Sequence, residues 1–346
     1  MLISSCQLLQ TIGTPGATSS LFPDGYNRLI HGDCLEVMRG LPGESFDVIY
    51  IDPPFFTGVE RRLQQSQQRG PSYSDTWDEG SQEYLDWLEV RLAEMRRLLQ
   101  PQGALFVHLD WHAVHYVKVM LDRLFGMSCF QNEFIWYYSG GGASKTRFAR
   151  KHDTILYYTR SATEWKFYAD RMRTPHKWTR GQKRADGSER DYEKGKLADD
   201  VWQHHALLPW ASESLGYPTQ KPEALLERLL LAVSDEGDVI GDFFCGSGTT
   251  AAVAQQLGRR WLTTDASRPA ICLTAERLAE QLAPGCIKYT AQRSRARATE
   301  RYEQIVADTE RVGLDAETLA ACGLAITTGT GCVIERLVDN APGGIM

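Results

Sequence analysis

The sequence predicts an α/β protein: a doubly wound, mostly parallel sheet carrying an inserted region. Three observations predict it. Short apolar, β-branched runs alternate with segments of three-and-four apolar spacing over residues 28–160 and again over 217–282, as strands and crossover helices do. Three of those runs end in an acidic turn, at His31-Gly32-Asp33, Ile51-Asp52-Pro53-Pro54 and Thr264-Asp265. Open α/β sheets bind ligands at the carboxyl ends of their strands. Between Arg160 and Leu215 the alternation stops, and charged, aromatic and glycine residues mix without period.

Taken in order, residues 1–25 are rich in Ser, Thr, Gly and Pro and read as a loose arm. Arg28 to His31 is a short strand, Leu35 to Leu41 a helical crossover, and Phe46 to Ile51 a buried strand. Phe56 to Gly80 is long and polar, so it is expected to be either a substrate-ordered lid or a disordered insertion. Leu85, Leu88, Leu92, Met95 and Leu99 mark a helix over 81–100. Strands follow at Gly103–Leu109, Glu133–Tyr138 and Thr154–Thr159, with a helix over Trp111–Phe125 and a hinge at Gly140 to Gly142. After Tyr217-Pro218-Thr219-Gln220-Lys221-Pro222, the proline suits a first helical turn. Val239–Phe244 is a strand, Cys245 to Gly248 a tight loop, Thr249–Leu257 a helix, Arg260–Thr264 a strand and Pro269–Leu282 a helix. Helical patches such as Ala298–Val312 precede a frayed Ala341 to Gly344. The organisation expected is an arm (1–25), a first half-domain (26–160), an insertion (161–215) whose basic region begins near 143, a second half-domain (216–294) and an extension without assigned role (295–346).

Composition bounds the partners. At 42% apolar and 24% charged, with no run of 18 apolar residues and no signal pattern, the chain is expected to be cytoplasmic, with no membrane span and no secretion. The eight cysteines are scattered without a C-x-x-C pair, which argues for free thiols over disulfides or zinc. His204 and His205 lack a third ligand at metal spacing, so no metal is expected. The net charge of −6 hides an asymmetry: between Ala143 and Lys196 stand fifteen basic and seven acidic residues with eight aromatics. A basic, aromatic island on an acidic body marks a nucleic-acid contact region, against the alternative of a salt-bridged insertion. Its candidates are Lys145, Arg147, Arg150, Lys151, Arg171, Arg173, Lys177 and Arg180.

Two stretches carry chemistry. In Asp52-Pro53-Pro54-Phe55 the prolines stiffen the turn and leave carbonyls free to accept. Asp52 and the Pro53 carbonyl suit the two hydrogens of an exocyclic amine, and Phe55 suits a ring to stack on. A base could reach them only after leaving the duplex. The second stretch, strand–Cys245-Gly246-Ser247-Gly248–helix–strand–Asp265, is a nucleotide-cofactor layout. Its Gly246-x-Gly248-x-x-Ala251 also matches a dinucleotide fingerprint, so a nicotinamide-dependent oxidoreductase competes.

Jointly these residues resemble the S-adenosylmethionine-dependent DNA amino-methyltransferases, which carry a D/N/S-P-P-aromatic motif and an F-x-G-x-G motif. The order here, with Gly32-Asp33, then Asp52 to Phe55, the basic insertion, Thr219 to Pro222, then Phe244 to Thr250, is similar to the permuted β class. The resemblance implies a Rossmann-like methyltransferase sheet with an inserted target-recognition region. It implies that Phe244, Cys245, Gly246, Gly248 and Thr249 surround S-adenosyl-L-methionine. Thr219 and Lys221 would lie near its carboxylate, Asp265 at its ribose and Asp33 at its adenine. Asp52, Pro53, Pro54 and Phe55 would hold the target base. Double-stranded DNA is the implied substrate, with a homodimer and a companion restriction enzyme as partners that family members often have. Gly241 and Phe243 stand where Leu and Pro are common, and Asp265 where Glu is frequent. Cytosine C5 chemistry needs a Pro-Cys nucleophile, which is absent. An Asp at the first motif position points to N6 of adenine, with N4 of cytosine as the alternative and RNA methylation as a more distant one.

Overall fold

A computed structural model describes residues 21, 27–57, 60–61, 73–74, 80–138, 143–174, 195–204, 207, 211–217, 219–282, 324–329 and 332–337. Most of the arm and of the polar stretch 56–80, the Gly140–Gly142 hinge, Lys177, Arg180, His205, the Ala298–Val312 patch and the last nine residues lie outside them.

The chain opens with β1 (Asn27–His31), α1 (Cys34–Arg39) and β2 (Phe46–Ile51). A two-residue pair, β3 (Glu60–Arg61) and β4 (Tyr73–Ser74), forms a separate ladder. Next come α2 (Ser81–Leu98), β5 (Leu99–Leu109), α3 (Val114–Phe125), β6 (Phe130–Tyr137), β7 (His152–Thr159) and β8 (Val201–Gln203). The second half supplies α4 (Glu223–Val233), β9 (Val239–Asp242), α5 (Thr249–Gln256), β10 (Arg260–Asp265), α6 (Arg268–Leu282), β11 (Leu324–Gly329) and β12 (Cys332–Leu337). The main sheet runs β11-β12-β1-β10-β9-β2-β5-β7-β6-β8. Its five central strands, β1 to β5 in that order, are parallel, and β7 and β12 run against them. The expected α/β architecture is present. Among the described residues no helix is long and apolar enough to cross a membrane.

Alternation along β2 explains the two layers. Val48 and Tyr50 face the core shared with α4 and α5, while Ile49 and Ile51 face the core under α1, α2 and α3. The halves of the domain meet where β2 pairs with β9, Val48 opposite Ile240 and Ile49 opposite Gly241. Strand order reverses there, so the turns after both strands open side by side.

Two unusual residues, Gly241 of β9 and Phe243 just after it, explain each other. A side chain at Gly241 would meet Phe46 Cδ1 at 2.8 Å, so the fully buried Phe46 ring fills that space. Phe46 then packs edge-on to Phe243 with centroids 5.6 Å apart. Phe46→Ala should cost about 3–5 kcal/mol, read by chemical denaturation; a loss below about 1 kcal/mol would mean the seam repacks.

Three expectations shift. The helix expected from Trp111 begins at Val114, because Asp110 first accepts from the His112 N–H in a turn (2.9 Å). Strand β5 starts four residues early, directly after α2, and the β2 register shifts between Phe46 and Val48 to absorb it. The insertion is not wholly irregular: β8 adds to the sheet beside β6, burying Trp202. Within the extension, β11 and β12 form a hairpin that pairs with β1.

Candidate active site

Strand β2 delivers Asp52 to the carboxyl edge of the sheet, and the turn before α4 delivers Lys221. The two side chains form a largely buried ion pair through Asp52 Oδ2. Asp52 Oδ1 is buried with no hydrogen-bond partner in the described structure. Such an acceptor is costly unless a ligand satisfies it. Pro53, Pro54 and Phe55 line the same cavity. Lys221 Nζ lies 5.2 Å from the Phe55 centroid. Phe56 follows at φ 60°, a left-handed conformation unusual for a bulky residue, and packs on Tyr84.

Behind Phe55 stands a group that the sequence reading missed. The His108 ring is stacked on Phe55, centroids 6.1 Å apart and planes 24° apart. Its Nδ1 meets the Tyr50 hydroxyl at 2.8 Å and its Nε2 meets Asp153 Oδ2 at 3.3 Å. Tyr138 donates to the other Asp153 oxygen at 3.1 Å. Burial, then the Asp52 charge, pushes the Tyr50 hydroxyl well up, so it keeps its proton. Burial acts to raise the Asp153 carboxyl, but the His108 hydrogen bond and neighbouring charges outweigh it and hold it below its usual range. The available signal was a histidine and an aspartate inside otherwise apolar strands.

The glycine loop follows β9. Gly246 (φ 51°) and Gly248 (φ 73°) both need left-handed backbone, and a side chain at Gly248 would strike Thr274 Cγ2 at 2.5 Å. Asp265, at the end of β10, accepts from the Gly246 N–H (2.9 Å) and the Ser267 N–H (2.8 Å). A cavity of about 220 Å³ opens between this loop and the Asp52 corner. Asp33, Asp52, Asp242 and Asp265 line it, with Lys221. That wall fits a cationic sulfonium ligand and opposes a pyrophosphate, and the Gly246 N–H a pyrophosphate would use is already taken by a carboxylate. The geometry therefore fits S-adenosylmethionine and disfavours a nicotinamide dinucleotide.

Asp242, which the sequence reading did not single out, is raised to about 7 by burial first and then by the charges of Asp52 and Asp265. Its folded value lies above its unfolded 3.8, so its contribution to stability is full below pH 3.8 and is lost as pH rises through about 7. A cation in the cavity favours the ionised form. Affinity for S-adenosylmethionine should rise as pH passes through about 7, with proton release seen by calorimetry in two buffers; flat affinity and no proton release would contradict this.

Other expected residues divide. Phe244 lies 5.7 Å from the Trp87 ring, and Trp87 lies under the Arg91 guanidinium at 4.2 Å. Arg91 binds Asp33 Oδ2 (2.7 Å), while Asp33 Oδ1 caps α1 through the Leu35 and Glu36 N–H groups. Asp33 is thus at the cavity but already engaged. Arg91 could have been suspected as a cation on the apolar face of α2, between Leu88 and Leu92. Thr219 lines the cavity and its carbonyl accepts from Lys221 (3.4 Å). Lys221 lies at Asp52, where the resemblance implied a place near the cofactor's carboxylate. The Thr249 hydroxyl is turned inward, donating to the Lys221 carbonyl (3.1 Å) and accepting from Arg277 (3.0 Å). Cys245 is buried, and burial pushes its thiol well up.

The basic residues also divide. Lys145, Arg147 and Arg150 are exposed, and Lys151 is half-buried. They precede β7, whose start pairs with the ends of β5 and β6, so they share the Asp52 edge. Arg150 stacks on Trp111 at 3.3 Å. Arg171 does not join them. It binds Asp235 (2.7 Å) and the Ser234 carbonyl (2.9 Å), beside the amino end of β9, at the opposite edge. Lys166 anchors the same segment through Asp238 (2.7 Å) and Asp47 (3.3 Å). Arg173 binds Asp170 and the Gly195 carbonyl, holding the insertion's own turn.

The profile of the DNA methylase family of N6 and N4 methyltransferases matches residues 46–276, from the start of β2 into α6. Type II methyltransferase M.HpaI of Haemophilus parainfluenzae is 30% identical over 252 residues, 72% of this chain and 74% of that protein. DNA adenine methyltransferase YhdJ of Escherichia coli (strain K12) is 28% identical over 269 residues, 76% of this chain and 86% of that one. Among solved structures, the PvuII DNA methyltransferase (cytosine-N4-specific) is similar in fold, with a TM-score of 0.54 and 17% identity over 81% of this chain and 92% of that chain. The matched span holds both the Asp52 corner and the glycine loop, and on it this chain belongs to the DNA methylase family, the S-adenosylmethionine-dependent amino-methyltransferases.

Proposed function

We propose that this protein transfers a methyl group from S-adenosylmethionine to the exocyclic N6 of an adenine flipped out of double-stranded DNA. The observation that carries the reading is Asp52 Oδ1: a buried acceptor without a donor, on the cavity wall beside an aromatic ring. When bound, S-adenosylmethionine supplies an electrophilic methyl on a sulfonium. The chain's part is positioning and acceptance. Phe55 stacks on the extruded ring. Asp52 Oδ1 and the Pro53 carbonyl accept the two amine hydrogens, which turns the nitrogen lone pair out of conjugation toward the methyl. The proton released by the methylated nitrogen moves toward Asp52 Oδ1. Asp265 and the glycines hold the loop against which the cofactor lies.

Adenine over cytosine is supported by Asp at the first motif position and by the relative named as an adenine methyltransferase. We assign target recognition to 161–215, with Lys145, Arg147, Arg150 and Lys151 as backbone contacts on the catalytic edge. Homodimer formation, a companion restriction enzyme and a cytoplasmic location belong to the same proposal. The test is to incubate the protein with unmethylated genomic DNA and methyl-labelled S-adenosylmethionine, digest to nucleosides and identify the labelled one by mass. N6-methyladenine is expected. N4-methylcytosine would overturn the base alone, and no labelled DNA nucleoside, with label appearing when total RNA is supplied instead, would overturn the DNA substrate.

A further inference from the structure

Phe55 sits on a loop. The prolines before it fix backbone φ, but they leave the torsions of its ring free. A stacking platform for a flipped base needs a defined tilt, and something must set it.

His108 has the geometry to do so. It is fully buried at the carboxyl end of β5 and stacked on Phe55, which lines the cavity, while His108 itself does not. Both ring nitrogens are engaged, toward Tyr50 of β2 and Asp153 of β7. Trp136 of β6 meets the ring edge-on, 5.6 Å between centroids and 89° between planes. Three other strands of the sheet therefore converge on this one imidazole of β5. Packing alone would be served by an apolar side chain, as at the adjacent Val107 and Leu109, both fully buried. Two hydrogen bonds in the ring plane add what packing does not: they fix rotation about the last torsion of the side chain. A fully satisfied buried network rigidifies the group it holds.

We propose that His108 is a positioning residue for the target base, a fixed back plate that sets the plane of Phe55 and through it the plane of the flipped adenine. This rests on the base-methylation reading above.

The experiment is a double-mutant cycle between His108→Phe and Phe55→Ala, with Tyr50→Phe as a milder variant that removes one of the two hydrogen bonds. Once the wild-type product has revealed the methylated site, a duplex carrying 2-aminopurine at the target position reports extrusion by fluorescence. His108→Phe is expected to lower kcat about ten- to a hundred-fold and to change the 2-aminopurine signal, with S-adenosylmethionine affinity unchanged. Tyr50→Phe should act in the same direction and less. In the Phe55→Ala background neither should add a further loss, because both act through that ring. A merely structural histidine would give losses that multiply across the cycle. Multiplying losses, or wild-type kcat and fluorescence in His108→Phe, would overturn the assignment. If His108→Phe does not fold, Tyr50→Phe carries the cycle alone. A wild type that methylates no base overturns the reading and the proposal together, whereas an active wild type with multiplying losses overturns only His108.

Discussion

Replacing Asp52 by asparagine should lower methyl transfer about a hundred- to a thousand-fold while S-adenosylmethionine still binds. The substitution keeps size and one acceptor but removes the charge that meets the amine. Asp52→Ala should do more than stop turnover. Lys221 is largely buried against Asp52, so alanine strands a buried cation, which costs about 3 kcal/mol of folding stability. Single-turnover transfer, cofactor titration and thermal unfolding separate these effects. Transfer near the wild-type rate in Asp52→Asn would show that a neutral acceptor suffices here and that the charge is not needed. Unchanged stability in Asp52→Ala would show that Lys221 finds another partner.

Gly248→Ala should cost both stability and cofactor affinity. The position has φ 73°, where an L side chain is strained by about 1–2 kcal/mol. The added carbon would also strike Thr274, whose hydroxyl donates to the Gly246 carbonyl (3.2 Å). The clash therefore pushes on the loop that walls the cofactor. A combined loss of about 3 kcal/mol is expected, with cofactor affinity down at least about ten-fold. Gly237→Ala is the control. It has φ 85° but nothing within 4 Å of the new carbon, so it should show the backbone cost alone and bind cofactor normally. Equal cofactor loss in both variants, or none in Gly248→Ala, would contradict the argument.

Pairing across the sheet explains which parts of this site were legible beforehand. The Asp-Pro-Pro-Phe corner, the glycine loop and the strand-end carboxylates are local: a strand, a turn and the residues within it are neighbours in the chain. The same holds for the order of strands and helices, read from apolar periods. The basic island was legible as composition, but its division was not. Arg150 and Arg171 look alike in sequence, yet one lies over Trp111 at the catalytic edge and the other against Asp235 at the far edge.

The sequence by itself determined the α/β class, the carboxylate corner and the family. Each is written in residues a few positions apart, where propensity, proline stiffness and glycine freedom act directly. Only the tertiary structure decided what those residues touch. Lys221 reaches Asp52 across 169 residues, Arg91 reaches Asp33 across 58 and Asp153 reaches His108 across 45. It also buried Asp242 beside two other carboxylates, and that burial first, then their charges, raise its carboxyl to about 7. These meetings depend on β2 lying between β9 and β5, and β7 beyond β5. Strand order is set by how whole layers bury their faces, a sum over the entire sheet that no local pattern encodes.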